Sequence, residues 1–577
     1  MSERSPLTTR PCQPRGARPA RTGGHAEPGR SRLLLTGVMF ACAFAVIGVR
    51  VLDVALLGGT SDRRAVHRDP GTPHAARRAD IVDRKGNILA TTLPAPSLYA
   101  NPQEISDPQR AAVRLARIIP EISQQRAATR MAMDRKFIWL KRGLTPRQQA
   151  RINRLGIPGL HFRTEEKRFY PQSELTAHLV GMTDTDSKGI AGVERSFQDV
   201  LAESHRPLRL SLDLRIQHIL TEELTRAMTA FQGTGAAGIV MDAQTGELIA
   251  MNSLPSFDPN APGRANVTDR FNRATHGVYE MGSVFKIFTM AGALDRNAVA
   301  LNDQFDVSEP IYTHGFTIRD FKPKDGKLTV PEIFMHSSNI GTVHIAQETG
   351  TELQREVLSD LGLTRTVNLE LPEVGSPLVP SPWRPINTMT ISYGHGLAVT
   401  PVQLTAAVAA TVNGGRLPTP TLLEQNDNHR AQGKQVLKRE TSATMRRLMR
   451  LVVAHGTGQK ADAKGYRVGG KTGTADKLRN GQYANDARIA SFVGAFPMDD
   501  PQYVVFTMID DPKGNTDTFG YATGGWIAAP IVRRVVERSA SLLGIQPKTP
   551  MPTREKANHP LLVEARAAGE GGGVAAN

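Results

Sequence analysis

The sequence predicts an α+β protein: an antiparallel sheet with helices packed on it, preceded by a smaller mixed module and by one N-terminal helix suited to a membrane. Three observations carry this expectation. An apolar run fills Leu33 to Val49. An amphipathic helix pattern over Ile216 to Phe231 (Ile216, Ile219, Leu220, Leu224, Met228) leads into a strand, a turn and a second strand between Gly238 and Met251. Three further strand-like segments joined by short turns follow at Tyr466–Ala475, Ile489–Phe496 and Gln502–Asp510.

The chain of 577 residues has room for several domains, and its 40% apolar and 22% charged residues suit folded protein rather than a disordered or collagen-like chain. Two cysteines, Cys12 and Cys42, exclude a disulfide scaffold, and neither has neighbours at metal-ligand spacing. The net charge of +16 is spread along the chain without a zinc finger or an aromatic-interleaved basic stripe, so no nucleic-acid partner is expected.

Residues 1–32 hold seven arginines among many prolines and glycines and are expected to be a disordered basic tail. The apolar run after them, at 1.5 Å per residue, spans about 25 Å. Val51 to Leu57 extends it towards the ~30 Å hydrocarbon core, with Arg50 snorkelling outward or meeting a partner helix. Residues 33–57 are therefore expected to be a retained single-pass anchor. A cleaved signal peptide fits less well, because the run is longer than the usual 7–15 residues and no clean cleavage site follows. The positive-inside bias puts the arginine-rich tail in the cytoplasm and the remainder outside, with Cys42 in the membrane.

Residues 58–215 read as a mixed packing or docking module, with a strand seed at Ile81-Val82 continued by Ile88–Ala90 and no catalytic cluster. Residues 216–545 carry the sheet, with helices expected around 283–300, 331–360 and 400–413. Residues 546–577 turn to Pro, Ala and Gly and are expected to be a disordered tail.

Three short motifs carry chemistry. In Ser283-Val-Phe-Lys286, a helix starting at Ser283 places Lys286 one turn on, within reach of the hydroxyl. A desolvated lysine beside other cations is neutral enough to act as a base on serine, and the helix N-terminus favours negative charge developing there. In Ser337-Ser338-Asn339, expected between two helices, a hydroxyl can relay a proton and the Asn339 amide can hold a substrate carbonyl or amide. In Lys471-Thr472-Gly473-Thr474, glycine permits close backbone approach by a ligand, Lys471 adds positive charge, and the threonines suit an incoming carboxylate. The N–H groups of Thr474 and Ser283 can together form an oxyanion hole. Each pattern alone is as readily a cap, a turn or a surface lysine. Their order and spacing together form the signature of penicillin-recognising acyl-transfer enzymes.

On these motifs the chain resembles class B penicillin-binding proteins, and most of all the division-specific, FtsI-type peptidoglycan D,D-transpeptidases. The resemblance extends to Asn252 through Asn260, Asn272-Arg-Ala274, Tyr279 through Lys286, Ser392 through Gly396 and Val399 through Gln403. In the mixed module it covers Arg78 through Gly86, Arg168 through Pro171 and Gly189 through Glu194. It departs at Met281, where the family often has Pro, and at Ala79, where it often has Gly.

What the resemblance implies is a penicillin-binding transpeptidase fold, with helices on both sides of an antiparallel sheet, standing on an elongated pedestal. Ser283 would attack the penultimate D-Ala of a stem peptide and Lys286 take its proton. Ser337 and Lys471 would serve the leaving group. Asn339 would position the peptide, while Thr472, Gly473 and Thr474 would hold the terminal carboxylate. No metal or organic cofactor is implied. The implied partners are stem peptides and lipid-linked glycan strands, β-lactams as covalent inhibitors, a SEDS-type glycan polymerase, other division proteins and the membrane. The implied location is the bacterial inner membrane at the septum, with a cytoplasmic N-terminus and a periplasmic catalytic domain. An elongation-type transpeptidase, a D,D-carboxypeptidase or β-lactamase on the same fold, and a division scaffold remain open. Ser338 and a loop near 312–327 are further candidates for shaping the site.

Overall fold

A computed structural model of the chain describes residues 37–48, 78–313, 315–425, 433–479, 482–548 and 560–571. These fall into two units, Met1–His74 and Ala75–Asn577. In the first, residues 37–48 form an exposed helix inside the expected anchor. The tail at 1–32 and the rest of the anchor, 33–36 and 49–57, lie outside the described residues. Among the described residues no helix is long and apolar enough to cross a membrane.

The second unit opens with a hairpin of β1 (Ile81–Val82) and β2 (Ile88–Ala100). Its turn is fixed by the Asp83 carboxylate, which accepts from the backbone of Lys85 (2.9 Å) and Asn87 (2.8 Å), and by Gly86 at φ +85°. Two strands, β3 (Ile138–Lys141) and β4 (Leu160–Phe169), pair antiparallel with β2, and β5 (Leu208–Arg209) pairs parallel with β1. This module packs in two directions. Leu98, Leu115, Ile119, Met131 and Ile152 form a core of their own around the far end of β2. Ile81, Leu89, Tyr170, Leu179 and Val193, nearer its base, belong instead to the main core of the molecule.

The main sheet is antiparallel throughout, in the order β8 (Gly469–Arg479), β9 (Gln482–Phe496), β10 (Tyr503–Asp510), β6 (Gly235–Asp242), β7 (Leu248–Leu254). β9 starts seven residues before the expected Ile489, because the hairpin continues through the pairs Leu478–Tyr483 and Arg479–Gln482. Side chains alternate across the sheet. On β10, Val505 and Ile509 face a core shared with α1 (Leu214–Ala230), while Val504, Phe506 and Met508 face the opposite core. That second layer holds α2 (Lys286–Asp295), α3 (Val330–His336), α4 (Asn339–Thr349), α5 (Pro401–Val412) and α6 (Arg439–His455). A further helix, α7 (Ala528–Ser539), returns to the α1 side. The expected assembly, helices on both faces of an antiparallel sheet, is what forms.

The tail expected to be disordered over 546–577 is not so throughout. α8 (Pro560–Gly571) packs near α3, burying Leu561, Leu562 and Ala565, and Glu564 pairs with Arg447 at 2.6 Å. The Pro, Ala and Gly content of this region conceals a short apolar stripe at helical spacing, which is enough to dock a helix on an existing core.

Candidate active site

Ser283 lies on a single 3₁₀ turn, Gly282–Phe285, and α2 begins only at Lys286, so the helix expected from Ser283 starts three residues later. The cause is local. Gly282 sits at φ +54°, and a Cβ there would overlap the carbonyl oxygen of Thr474 on β8. The turn is wedged against that strand and against Gly394, whose carbonyl accepts the Gly282 N–H at 3.2 Å. Gly473 completes the fit, since a Cβ there would overlap the Ser491 hydroxyl and come within 2.6 Å of the Met281 carbonyl. Val284 and Phe285 are buried while Ser283 is half-buried, so the turn anchors itself inward and presents the serine. The Ser283 hydroxyl makes no hydrogen bond with a described residue.

The expected contact between Lys286 and Ser283 is thus not made. The fully buried Lys286 amine donates instead to the Ser337 carbonyl (2.6 Å), the Ser337 hydroxyl (3.2 Å) and the Asn339 side-chain oxygen (2.7 Å). Three acceptors match the three donors of an ammonium and leave no lone pair for the serine. Lys471, also fully buried, donates to the same Ser337 hydroxyl at 2.8 Å. One hydroxyl therefore joins two buried lysines.

Ser337 can stand there because it ends α3 in the left-handed conformation, φ +61°, turning the chain sharply before α4. Ser338 is buried and caps α4, accepting from the Gly341 N–H at 3.0 Å, which assigns it to the loop's geometry. Thr472 exchanges a hydrogen bond with Thr457 (2.9 Å), and Thr474 accepts from the Gly524 N–H (3.1 Å).

Burial dominates the electrostatics. It lowers the Lys286 amine from its ordinary 10.5 to about 7, with the negative charge of Asp320 opposing the shift. Lys471 is pushed well down, first by burial and then by repulsion from Lys286. An amine lowered to about 7, as Lys286 is, is able to take up and release a proton near neutral pH, as a serine nucleophile requires of its base.

Three groups that the sequence reading did not single out also reach this region. Asp320 accepts from the backbone N–H of Asn339 (2.5 Å) and of Ile340 (3.1 Å). Glu280 accepts from the Gly396 N–H (2.8 Å) and the Tyr483 hydroxyl (3.0 Å). Burial lowers the His395 imidazole, and its Nδ1 has no hydrogen-bond partner among the described residues. Glu280 and His395 lay inside segments already matched to the family, a usable signal, whereas Asp320 carried only its place in the 312–327 loop. Among the described residues no group of three His, Cys, Asp or Glu side chains is placed to hold a metal.

Comparison with known proteins agrees with this geometry. Residues 236–537 match the model of the penicillin binding protein transpeptidase domain, and residues 73–205 that of the penicillin-binding protein dimerisation domain. The chain is 39% identical over 490 residues to the probable peptidoglycan D,D-transpeptidase FtsI of Caulobacter vibrioides, covering 82% of this chain and 83% of that one. It is 33% identical to the probable peptidoglycan D,D-transpeptidase PenA of Neisseria gonorrhoeae, over 90% and 93% of the two chains. Its fold resembles that of penicillin binding protein 3 from Mycobacterium tuberculosis complexed with ampicillin, with a TM-score of 0.66 and 25% identity, covering 85% of this chain and 98% of that one. With both models matched in series and a sheet that wedges a serine turn against a Lys-Thr-Gly strand, the chain belongs to the penicillin-binding proteins, in their two-domain class B form.

Proposed function

We propose that the chain crosslinks peptidoglycan as a serine D,D-transpeptidase in septal cell-wall synthesis, with Ser283 as the acylated residue. The observation that carries the roles is the Ser337 hydroxyl bridging two buried lysines, Lys286 at 3.2 Å and Lys471 at 2.8 Å, behind the serine turn.

When Lys286 is neutral it has two N–H donors and one lone pair, so one of its three present contacts is released and the lone pair is free for the Ser283 proton. The Ser283 oxygen then attacks the carbonyl carbon of the penultimate D-Ala of a stem peptide. The oxyanion that forms is held by the backbone N–H groups of Ser283 and Thr474. As the C–N bond breaks, the departing D-Ala nitrogen takes a proton through Ser337 from the lysine pair. Asn339 orients the peptide, and Thr472 and Thr474 receive its terminal carboxylate, with Gly473 letting it approach the strand. An amine of a second stem peptide then attacks the ester, forming the crosslink and restoring the Ser283 hydroxyl. β-Lactams acylate the same serine and remain bound.

The domain division supporting this reading is a basic tail at 1–32, an anchor at 33–57, a pedestal at 58–215, a transpeptidase domain at 216–545 and a C-terminal segment beyond. The apolar run from Leu33 supports single-pass anchoring in the inner membrane, with the catalytic domain in the periplasm. A partner that polymerises glycan, of the SEDS type, fits a chain whose pedestal is too short to hold that activity.

Intact-mass measurement after incubating the purified exported part with labelled penicillin tests the roles. A stable adduct on wild type and none on Ser283→Ala is expected. An adduct that survives Ser283→Ala overturns the assignment.

A further inference from the structure

The loop between two short strands just before α3, Phe316–Ile318 and Lys327–Thr329, places a carboxylate against the site from a side no motif touches. Asp320 and Arg319 grip Asn339 from two directions. One Asp320 oxygen accepts the Asn339 and Ile340 N–H groups, at the N-terminus of α4, while the Asn339 amide donates to the Arg319 carbonyl at 2.9 Å. Asn339 therefore has its backbone and amide nitrogen fixed by this loop and its amide oxygen turned to Lys286 at 2.7 Å. The second Asp320 oxygen is buried and has no hydrogen-bond partner among the described residues. A buried carboxylate oxygen without a donor is costly, and such groups call for an explanation beyond packing.

We propose that Asp320 is a positioning residue of the acyl-transfer site: it fixes Asn339 against Lys286 and, through its unpartnered oxygen, supplies the negative charge that stabilises Lys286 once it has taken the serine proton. The proposal rests on the acyl-serine reading above. The groups facing Lys286 make this charge distinctive. Lys471 approaches from β8 and is itself cationic or neutral, Ser337 and Asn339 contribute neutral dipoles, and His395 on the Tyr393–Gly396 segment is neutral or cationic. Asp320 is the carboxylate whose field raises the affinity of Lys286 for a proton. Without it, burial alone would leave Lys286 a weaker base and its protonated form uncompensated in the acyl-enzyme.

The test compares wild type with Asp320→Asn, Asp320→Ser and Asp320→Glu. The first two keep an acceptor for the α4 amides and remove the charge, and the third keeps the charge. The rate constant for acylation by benzylpenicillin is measured from about pH 5 to about pH 9, with melting temperature as the check on folding. In wild type the rate falls on the acid side as Lys286 protonates. In the uncharged variants the acid limb is expected to move about one pH unit lower, with a plateau several-fold lower because the base is weaker. Asp320→Glu is expected to leave the limb near its wild-type position even if the plateau falls. A limb that stays in place in whichever uncharged variant folds overturns the proposal and leaves Asp320 a purely structural cap, as does a limb that moves equally in Asp320→Glu. Absence of an adduct on wild type is a separate result, and it strikes the acyl-serine reading itself.

Discussion

Two clusters of buried cations lie among the described residues, and they are built on opposite rules. At the base of the pedestal, Arg78 and Arg168 are each 5% exposed, and both point at Glu194, which is wholly buried. Each arginine Nε donates to a separate Glu194 oxygen, at 2.7 Å from Arg78 and 2.6 Å from Arg168, and Arg78 also reaches the Glu194 carbonyl at 2.8 Å. In the candidate active site, Lys286 and Lys471 are equally buried and share a neutral hydroxyl. Their nearest polar partners are carbonyls, hydroxyls and an amide. A buried cation with a carboxylate partner stays charged and fixes geometry. A buried cation without one gives up its proton, which is a liability for folding and the requirement for general-base chemistry.

Replacing Lys471 by methionine should separate the two clusters by the widest margin. The change removes a buried amine held against its preference for water and leaves the rotatable Ser337 hydroxyl and the Thr472 carbonyl to be satisfied, so the melting temperature is expected to hold or rise. Acylation by penicillin is expected to fall by about 10²–10⁴-fold, read by stopped-flow or gel fluorescence. In the pedestal the reverse should hold. Glu194→Ala strands two buried guanidinium groups and is expected to cost about 3–5 kcal/mol in denaturant unfolding. Acylation per folded molecule should change little.

Titration sharpens the contrast further. Lys286 has its proton affinity lowered to about 7, so the acylation rate should fall about tenfold per pH unit below that value. Stability responds in the other direction from an ordinary ion pair. Between about 7 and 10.5 the unfolded lysine binds more protons than the folded one, so the cost of burying this amine, complete below 7, is relieved as pH rises and stability increases across that range. Urea unfolding across that range checks the sign. The smallest effect belongs to a pair at the surface. Arg142 bonds Glu165 and Asp186 while one-third exposed, and Arg142→Ala is expected to change stability by less than about 1 kcal/mol and to leave acylation unaltered.

The candidate residues were legible in the sequence where residue type and spacing both single them out. Ser283, Lys286, Ser337, Asn339 and Lys471 sit in three short motifs far apart in the chain, and the sheet and its helices bring the lysines, Ser337 and Asn339 into one hydrogen-bonded group. The strand and helix segments were legible from their periods. The contact partners were not. Lys286 turns to Ser337 rather than Ser283 because a wedge of glycines fixes the turn and three better-placed acceptors meet the amine, and neither fact is written in a four-residue pattern. Asp320 was invisible because its partners lie 19 and 20 residues away in a loop of no regular period. α8 was missed because composition averaged over a tail hides Leu561, Leu562 and Ala565.

The order of strands has a consequence for how the molecule comes to exist. The central strand β10 joins β6 to β9, and its partner β6 lies on the far side of residues 243–502. During synthesis the hairpin of β6 and β7 is made early, and β6, apolar except for Asp242, keeps one edge of backbone groups unpaired until Tyr503–Asp510 emerges. Closing so long a loop is slow, and a waiting edge of this kind can pair with another chain instead. The nascent protein should therefore depend on a holding chaperone until its last strands are made, and its yield should track the time spent before them.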